Sequence, residues 1–152
     1  YYLDEKGNKV LGLHEINGDL YYFRRGGAYK YTQLGDMWQD SINYIDGKIY
    51  YFGHDGRAIK NRFYQWGNYW YYFYADGSAA TGAVQINGQQ LYFDTNHGRQ
   101  VKGAFAPDGR YYDENSGELV TNQTRTIKGV TYHFDENGNA TKFKLFLTLR
   151  KL

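Results

Sequence analysis

Cysteine is absent from the 152 residues and proline occurs once, at Pro107. No disulfide can staple the chain, which leaves both oxidising and reducing compartments open. Charge of one sign is missing too: 18 Lys and Arg against 16 Asp and Glu give a net charge of +2. Such a balance does not demand a polyanionic partner, and Arg24-Arg25 is the one basic doublet of note before the tail. Nineteen glycines, about one every eight residues, nearly exclude a long helix and favour short hairpins. What the chain has in excess is rings: 18 Tyr, 9 Phe and 3 Trp make 20% of it aromatic. Mean hydropathy is nevertheless −0.77. The apolar area is therefore carried by amphipathic rings, which pack on one side and can meet a wet ligand on the other.

Seven times an aromatic doublet or triplet runs into a glycine turn. The copies are Tyr1-Tyr2-Leu3, Tyr21-Tyr22-Phe23, Tyr50-Tyr51-Phe52, Tyr71-Tyr72-Phe73, Leu91-Tyr92-Phe93, Arg110-Tyr111-Tyr112 and Tyr132-His133-Phe134. Their middle residues lie 20, 29, 21, 20, 19 and 22 positions apart. A period near twenty marks one supersecondary unit repeated, in which neighbour-to-neighbour packing replaces a single deep core. The expected fold is all-β, an elongated repeat solenoid of stacked short β-hairpins. Function is then to be sought in what a repeated unit does, not in one catalytic centre.

Gly18, Gly47, Gly88 and Gly129 each stand four residues before a middle aromatic, and Asn17, Asp46 and Asn87 precede three of them. Asn-Gly and Asp-Gly suit a two-residue type I′ turn because both central residues need positive φ. With Asn87-Gly88 as the turn, Ile86 faces Gln89, Gln85 faces Gln90, Val84 faces Leu91 and Ala83 faces Tyr92. One face carries Val84, Ile86, Leu91 and Phe93 and reads as core. The other carries Ala83, Gln85, Gln90 and Tyr92, where a small residue opposite a tyrosine leaves a notch flanked by amides. A turn at Gly67-Asn68 splits the preceding hairpin the same way, Tyr64, Trp66, Tyr69, Tyr71 and Phe73 against Phe63, Gln65, Trp70 and Tyr72. Gln65 and Gln85 are equivalent. Nine or ten residues after a middle aromatic stands Leu11, Lys60, Thr81, Lys102 or Thr121, each followed by Gly or Asn and placed to open the next hairpin.

Residues 1–23 are expected to hold incomplete first repeats, 24–43 an irregular connection or junction, 44–141 the regular repeats and 142–152 a tail without the repeat. The tail, alternately apolar at 143, 145, 147 and 149, is too short to span a membrane. Starting at Tyr1 without Met, inside the second half of a hairpin, the sequence reads as a fragment of a longer chain.

The stretch Thr81-Gly-Ala-Val-Gln-Ile-Asn-Gly-Gln-Gln-Leu-Tyr-Phe-Asp94, followed by Arg99-Gln-Val-Lys-Gly-Ala104, resembles the glucan-binding repeats of bacterial glucansucrases, the dextransucrase-type enzymes. The resemblance is strongest over residues 81 to 122, clear from 44 to 141, weaker before 44 and absent from the tail. It implies a non-catalytic, secreted or cell-surface module that binds α-glucan or isomalto-oligosaccharide, joined in its parent chain to a catalytic domain. It also implies a tyrosine stacked on a glucose ring, with Gln and Lys or Thr on the hydroxyls. By motif position these are Tyr92 with Gln90 and Lys102, Tyr72 with Thr81, Tyr51 with Lys60 and, around Pro107-Asp108-Gly109, Tyr111 with Thr121. Gln65 and Trp70 share the Tyr72 face and join the set. His133 replaces the tyrosine of the last unit, which is not expected to bind.

The chemistry is coherent, since a sugar ring wants a flat aromatic platform and a few hydrogen-bonding groups on its rim. Three alternatives stay open. A choline-binding repeat cages a quaternary ammonium by cation–π attraction, but Ala83 and Ala104 stand where those modules usually carry Trp. A toxin-type repeat would also bind carbohydrate, and a structural spacer would bind nothing. An enzyme is not expected: Asp113-Glu114 and Asp135-Glu136 are adjacent pairs that point to opposite faces of a strand, whereas glycoside hydrolysis needs converging carboxyls. The four histidines lack triad or metal-ligand spacing, and the calcium-loop start Asp135-Glu-Asn-Gly-Asn139 is followed by the wrong residues for a metal. No cofactor is expected. Nucleic acid would want clustered basic residues beside the rings, and the lysines are scattered.

Overall fold

The computed structural model describes residues 1–26 and 34–143. Among them there is no helix, and thirteen short strands pair antiparallel. They are β1 (Gly12–Ile16), β2 (Asp19–Phe23), β3 (Ser41–Ile45), β4 (Lys48–Phe52), β5 (Arg62–Trp66), β6 (Tyr69–Phe73), β7 (Gly82–Ile86), β8 (Gln89–Phe93), β9 (Ala104–Phe105), β10 (Tyr111–Tyr112), β11 (Gln123–Ile127), β12 (Val130–Phe134) and β13 (Ala140–Lys142). Each odd strand up to β11 forms a hairpin with its successor, and β13 adds to β12.

Turn chemistry sets the register. Asn17-Gly18, Asp46-Gly47, Asn87-Gly88 and Lys128-Gly129 all have positive φ at both positions, as type I′ turns require. At Gly67-Asn68 only Gly67 is positive, with φ 63°, the arrangement of a type II′ turn. The pairing that follows is the one read from the sequence: Ala83 opposite Tyr92, Gln85 opposite Gln90, Phe63 opposite Tyr72 and Gln65 opposite Trp70.

A second left-handed position explains the residue after each recurrent Lys or Thr. Asn61, Gly82, Gly103 and Asn122 have φ between 51° and 74°, which only Gly and Asn adopt at small cost. Asn61 N–H then donates to Tyr74 O, and Gly103 N–H to Tyr112 O, closing each hairpin at its base. Between hairpins an aspartate folds the chain back. Asp94 Oδ1 accepts the N–H groups of Asn96 and His97, and Asp113 Oδ2 those of Asn115 and Ser116. Asp135 Oδ1 likewise takes Asn137 and Asn139, so the two acidic pairs are turn residues.

The described residues fall in two compact units, Tyr1–Ala80 and Thr81–Leu152. In the first, Ile45, Tyr50 and Phe52 pack on Tyr22, Leu13 and Leu20, while Tyr71, Phe73 and Tyr64 pack on Tyr51 and Ile42. In the second, Tyr92 meets Tyr112, Ala106 and Leu119, and Tyr111 and Val120 meet Phe134 and Ile127. Backbone bonds stitch successive turns together, with Ala58 N–H donating to Leu20 O, Ala79 to Ile49 and Leu119 to Gln90, each at 2.8 Å.

The described ends of stretch 24–43 follow the same plan. Met37 bridges Phe23 as Ala58 bridges Phe52, and Trp38 N–H donates to Tyr22 O. Residues 27–33 of that stretch and 144–152 of the tail lie outside the described set. No helix of the described residues is long and apolar enough to cross a membrane.

Candidate functional site

The second unit opens a groove of about 200 Å³ lined by Ala83, Val84, Gln85, Gln90, Leu91, Arg110 and Tyr112. Strands β7 and β8 bring it together: the exposed amides of Gln85 and Gln90 face each other, and Ala83 beside them supplies the low floor. Arg110 and Tyr112 come from the next turn of the stack. The Tyr112 hydroxyl donates to Asp108 Oδ2 at 2.7 Å. Burial, and then this bond, hold its proton well above the usual phenol range. The groove therefore offers two amides and a guanidinium to hydroxyl groups, with the buried Tyr112 ring in its wall.

The first unit opens a larger groove, about 750 Å³, lined by Asp19, residues 53–55 and 57–60, Arg62 and Tyr64. Tyr64 lies 4.6 Å, centroid to centroid, from the buried Tyr51 ring. Arg62 places its guanidinium 5.7 Å from the Tyr64 centroid. Lys60 Nζ donates to Gly18 O at 2.9 Å. Arg57 Nε donates to Asp55 Oδ2 at 2.6 Å, and its backbone N–H and guanidinium hold the Asp55 carboxyl below its ordinary range. His54 Nδ1 sits 2.9 Å from Asp40 Oδ2, which raises the imidazole pKa.

The structure buries most of the middle tyrosines, though not Tyr72. The two-face reading leaves them open, yet Tyr92, Tyr51 and Tyr111 are 6%, 5% and 6% exposed. In a stack both faces of a hairpin are covered, one by the turn before and one by the turn after. Tyr92 thus packs on Tyr112 at 5.7 Å, and Tyr111 on Phe134 at 6.1 Å. Leu91 and Phe93, read as core, are buried as expected.

Of the other sequence candidates, Gln90 lines the second unit's groove and Lys60 the first unit's. Lys102 is not among the groove residues, and its Nζ lies 3.4 Å from Asn115 O in the following turn. Thr121 is half-buried, and its carbonyl accepts from Gln123. Tyr72 and Trp70 are half-buried and Gln65 is exposed, with Phe63 edge-on to Tyr72 at 4.8 Å. Thr81, exposed, belongs to the second unit, and Tyr72 to the first.

Arg110, Tyr112, Arg62 and Tyr64 were missed as site residues because they enter their grooves from a neighbouring turn or strand position. Knowing which side chains share a groove required the stacking of one turn on the next. Among the described residues no cluster of His, Asp or Glu is gathered to hold a metal.

These features define a class: a repeat module of stacked aromatic β-hairpins. A family profile described as a choline-binding repeat matches residues 80–123, and one described as a putative cell wall binding repeat matches 61–79 and 125–140. The fold is that of choline binding protein F from Streptococcus pneumoniae, solved in the presence of a peptidoglycan analogue, at TM-score 0.73 and 28% identity over 93% of this chain and 43% of that one. The pneumococcal autolysin LytC, at 20% identity and TM-score 0.57 over 93% of this chain and 36% of that one, shares the fold alone.

Among curated proteins the chain is 37% identical over 147 residues to glucosyltransferase-I of Streptococcus downei. It is 39% identical over 146 residues to glucosyltransferase-S of Streptococcus mutans serotype c. Each match covers 92% of this chain and 9% of the relative, so the chain spans about a tenth of those proteins' length. The chain is thus similar to a short part of streptococcal glucosyltransferases, and its repeats match the choline-binding and cell wall binding repeat models.

Proposed function

We propose that the chain binds α-glucan, dextran-like polysaccharide or its isomalto-oligosaccharides, through shallow repeated sites. The observation that carries this is the second unit's groove, where Gln85, Gln90 and Arg110 converge over Ala83 beside Tyr112. Amides and a guanidinium at the rim of a low floor suit the hydroxyl edge of a neutral sugar. Buried Tyr92 acts beneath this site by fixing Tyr112. In the first unit, half-buried Tyr72 and Trp70 beside exposed Gln65 present a second platform, richer in rings and with a single amide. Kinship with glucosyltransferases supports a glucan as the ligand, a catalytic domain as the neighbour in the parent chain and a secreted or cell-surface setting.

One such site alone binds at about 1 mM, or roughly 4 kcal/mol. Several sites engaging one polymer gain on the order of 10² to 10⁴ through effective concentration. Affinity electrophoresis in dextran, set beside titration with isomaltotriose, tests this: dextran binds far more tightly per chain. Equal affinities would end the multivalent reading, and no retention in either would favour a spacer. The choline reading is disfavoured at residues 80–123 because the one ring lining the groove there, Tyr112, is buried, where a cation–π cage needs several open rings.

A further inference from the structure

The two grooves differ in chemistry. The second unit's groove carries two neutral amides and one guanidinium. The first unit's groove carries Arg57, Lys60 and Arg62 against Asp19 and Asp55, with His54 at its edge. Both acids are turned to one base: Arg57 Nε meets Asp55 Oδ2 at 2.6 Å, and Arg57 Nη1 lies 3.7 Å from Asp19 Oδ2. His54 is matched by Asp40. Lys60 Nζ is held by the Gly18 carbonyl, a neutral acceptor that leaves its charge uncompensated. Arg62 lies over the Tyr64 ring. Among the described residues neither Lys60 nor Arg62 forms a salt bridge. Three bases against two acids leave this groove one positive charge in surplus, with Lys60 and Arg62 outside any salt bridge beside an aromatic ring, in a volume more than three times that of the other groove, about 750 against 200 Å³.

We infer that this groove takes an acidic saccharide, a sugar chain bearing carboxylate or phosphate groups. Tyr64, packed on Tyr51, carries the Arg62 guanidinium on its ring; that planar group pairs with the anionic substituent through two parallel hydrogen bonds, and Lys60 adds a point charge nearby. A neutral glucan would gain hydrogen bonds from these cations but no charge pairing. The inference goes beyond glucan binding and does not depend on it, because the residues are separate. Together the two units would let one module hold a neutral glucan and an anionic polymer.

The test is calorimetric titration of the full chain with three probes: a hexamer of galacturonate, a glycerol phosphate oligomer and isomaltohexaose. The combined Arg62→Gln and Lys60→Gln variant is compared with a charge-matched control, Lys6→Gln with Lys128→Gln, at two exposed positions. Thermal melts confirm that both variants are folded. At least one acidic probe is expected to bind the native chain and the control. That binding should weaken at least fivefold in the groove variant, and again when salt is raised from 50 to 500 mM, where screening shortens the reach of charge. Isomaltohexaose binding should be unchanged. Whether galacturonate or glycerol phosphate responds identifies carboxylate or phosphate as the recognised group. No binding of either acidic probe, or equal weakening in groove variant and control, overturns the proposal. So does an equal loss of isomaltohexaose, which would make the groove another neutral site; failure of glucan binding itself would show instead in isomaltohexaose and the native chain.

Discussion

Tyr92 and Tyr112 lie on successive turns of the second unit with ring centroids 5.7 Å apart and planes inclined by 46°. Both are buried, and Tyr112 is anchored at its far end by Asp108. Tyr92, the central tyrosine of its repeat, is thus a packing residue that carries a groove residue on its back. Tyr92→Ala is expected to cost about 3 to 5 kcal/mol, the range for truncating a buried aromatic, and to abolish glucan binding by unfolding the groove. Tyr92→Phe keeps the packing and should keep the binding. Denaturant unfolding alongside dextran retention checks this. A folded Tyr92→Ala that had lost only dextran would restore the open-platform role.

The opposite behaviour is expected of Gln85 and Gln90. Their side chains are exposed and face each other across β7 and β8, so truncating them removes hydrogen-bonding groups without making a cavity. The double variant Gln85→Ala with Gln90→Ala should weaken isomalto-oligosaccharide binding at least fivefold, about 1 kcal/mol. Its melting temperature should stay within about 4 °C of the native value, since exposed substitutions rarely exceed about 0.5 kcal/mol each. Unchanged binding would remove the groove from the glucan reading.

Register was legible because it is local. Asn87-Gly88 and Asp46-Gly47 fix their turns, and period-2 alternation then assigns every facing pair, as the observed partners of Gln85 and Ala83 show. Exposure was not legible, because it depends on the next turn of the stack. Nothing within the hairpin of β7 and β8 announces that Ala106 and Leu119 will cover Tyr92. Groove membership failed for the same reason. Arg110 follows the shortened turn at Pro107-Asp108-Gly109, and its proximity to Gln90 arises from stacking, marked by the Leu119 N–H bond to the Gln90 carbonyl. The aspartates of the inter-hairpin turns were readable as turn residues, since Asp before Gly at short spacing is itself a local signal.

The last hairpin contains a correctable defect. Lys128 occupies the first central position of a type I′ turn at φ 49°, where the other such turns have Asn or Asp. A left-handed lysine is strained by its Cβ, whereas Asn tolerates the region. Lys128→Asn should therefore stabilise by up to about 1 kcal/mol, raising the melting temperature by about 2 to 4 °C on the scale of a chain this size. A lower melting temperature would show that the lysine chain contributes something the turn geometry does not reveal.

Acid sensitivity should concentrate at Asp113. Its carboxylate accepts the Ser116 and Asn115 N–H groups at 2.8 Å and meets Arg125 Nη1 at 2.8 Å, tying one turn to the following hairpin. The Ser116 N–H first, and the Arg125 guanidinium next, hold the carboxyl well below the usual carboxylate range. In the unfolded chain the same group titrates near its ordinary value of about 3.9. Folded and ionised, it therefore contributes stability that is fully present above about pH 4 and is lost as pH falls toward the depressed folded value. Asp113→Asn keeps the shape but removes the charge. Its melting temperature should lie below the native one at pH 7, and the gap should narrow steadily on acidification below pH 4. Arg125→Gln, which leaves the backbone donors in place, should show a smaller gap with the same trend. A gap as wide at pH 2.5 as at pH 7 would mean that the aspartate acts by shape alone, and the charge-assisted tie between the turn and the hairpin would have to be abandoned.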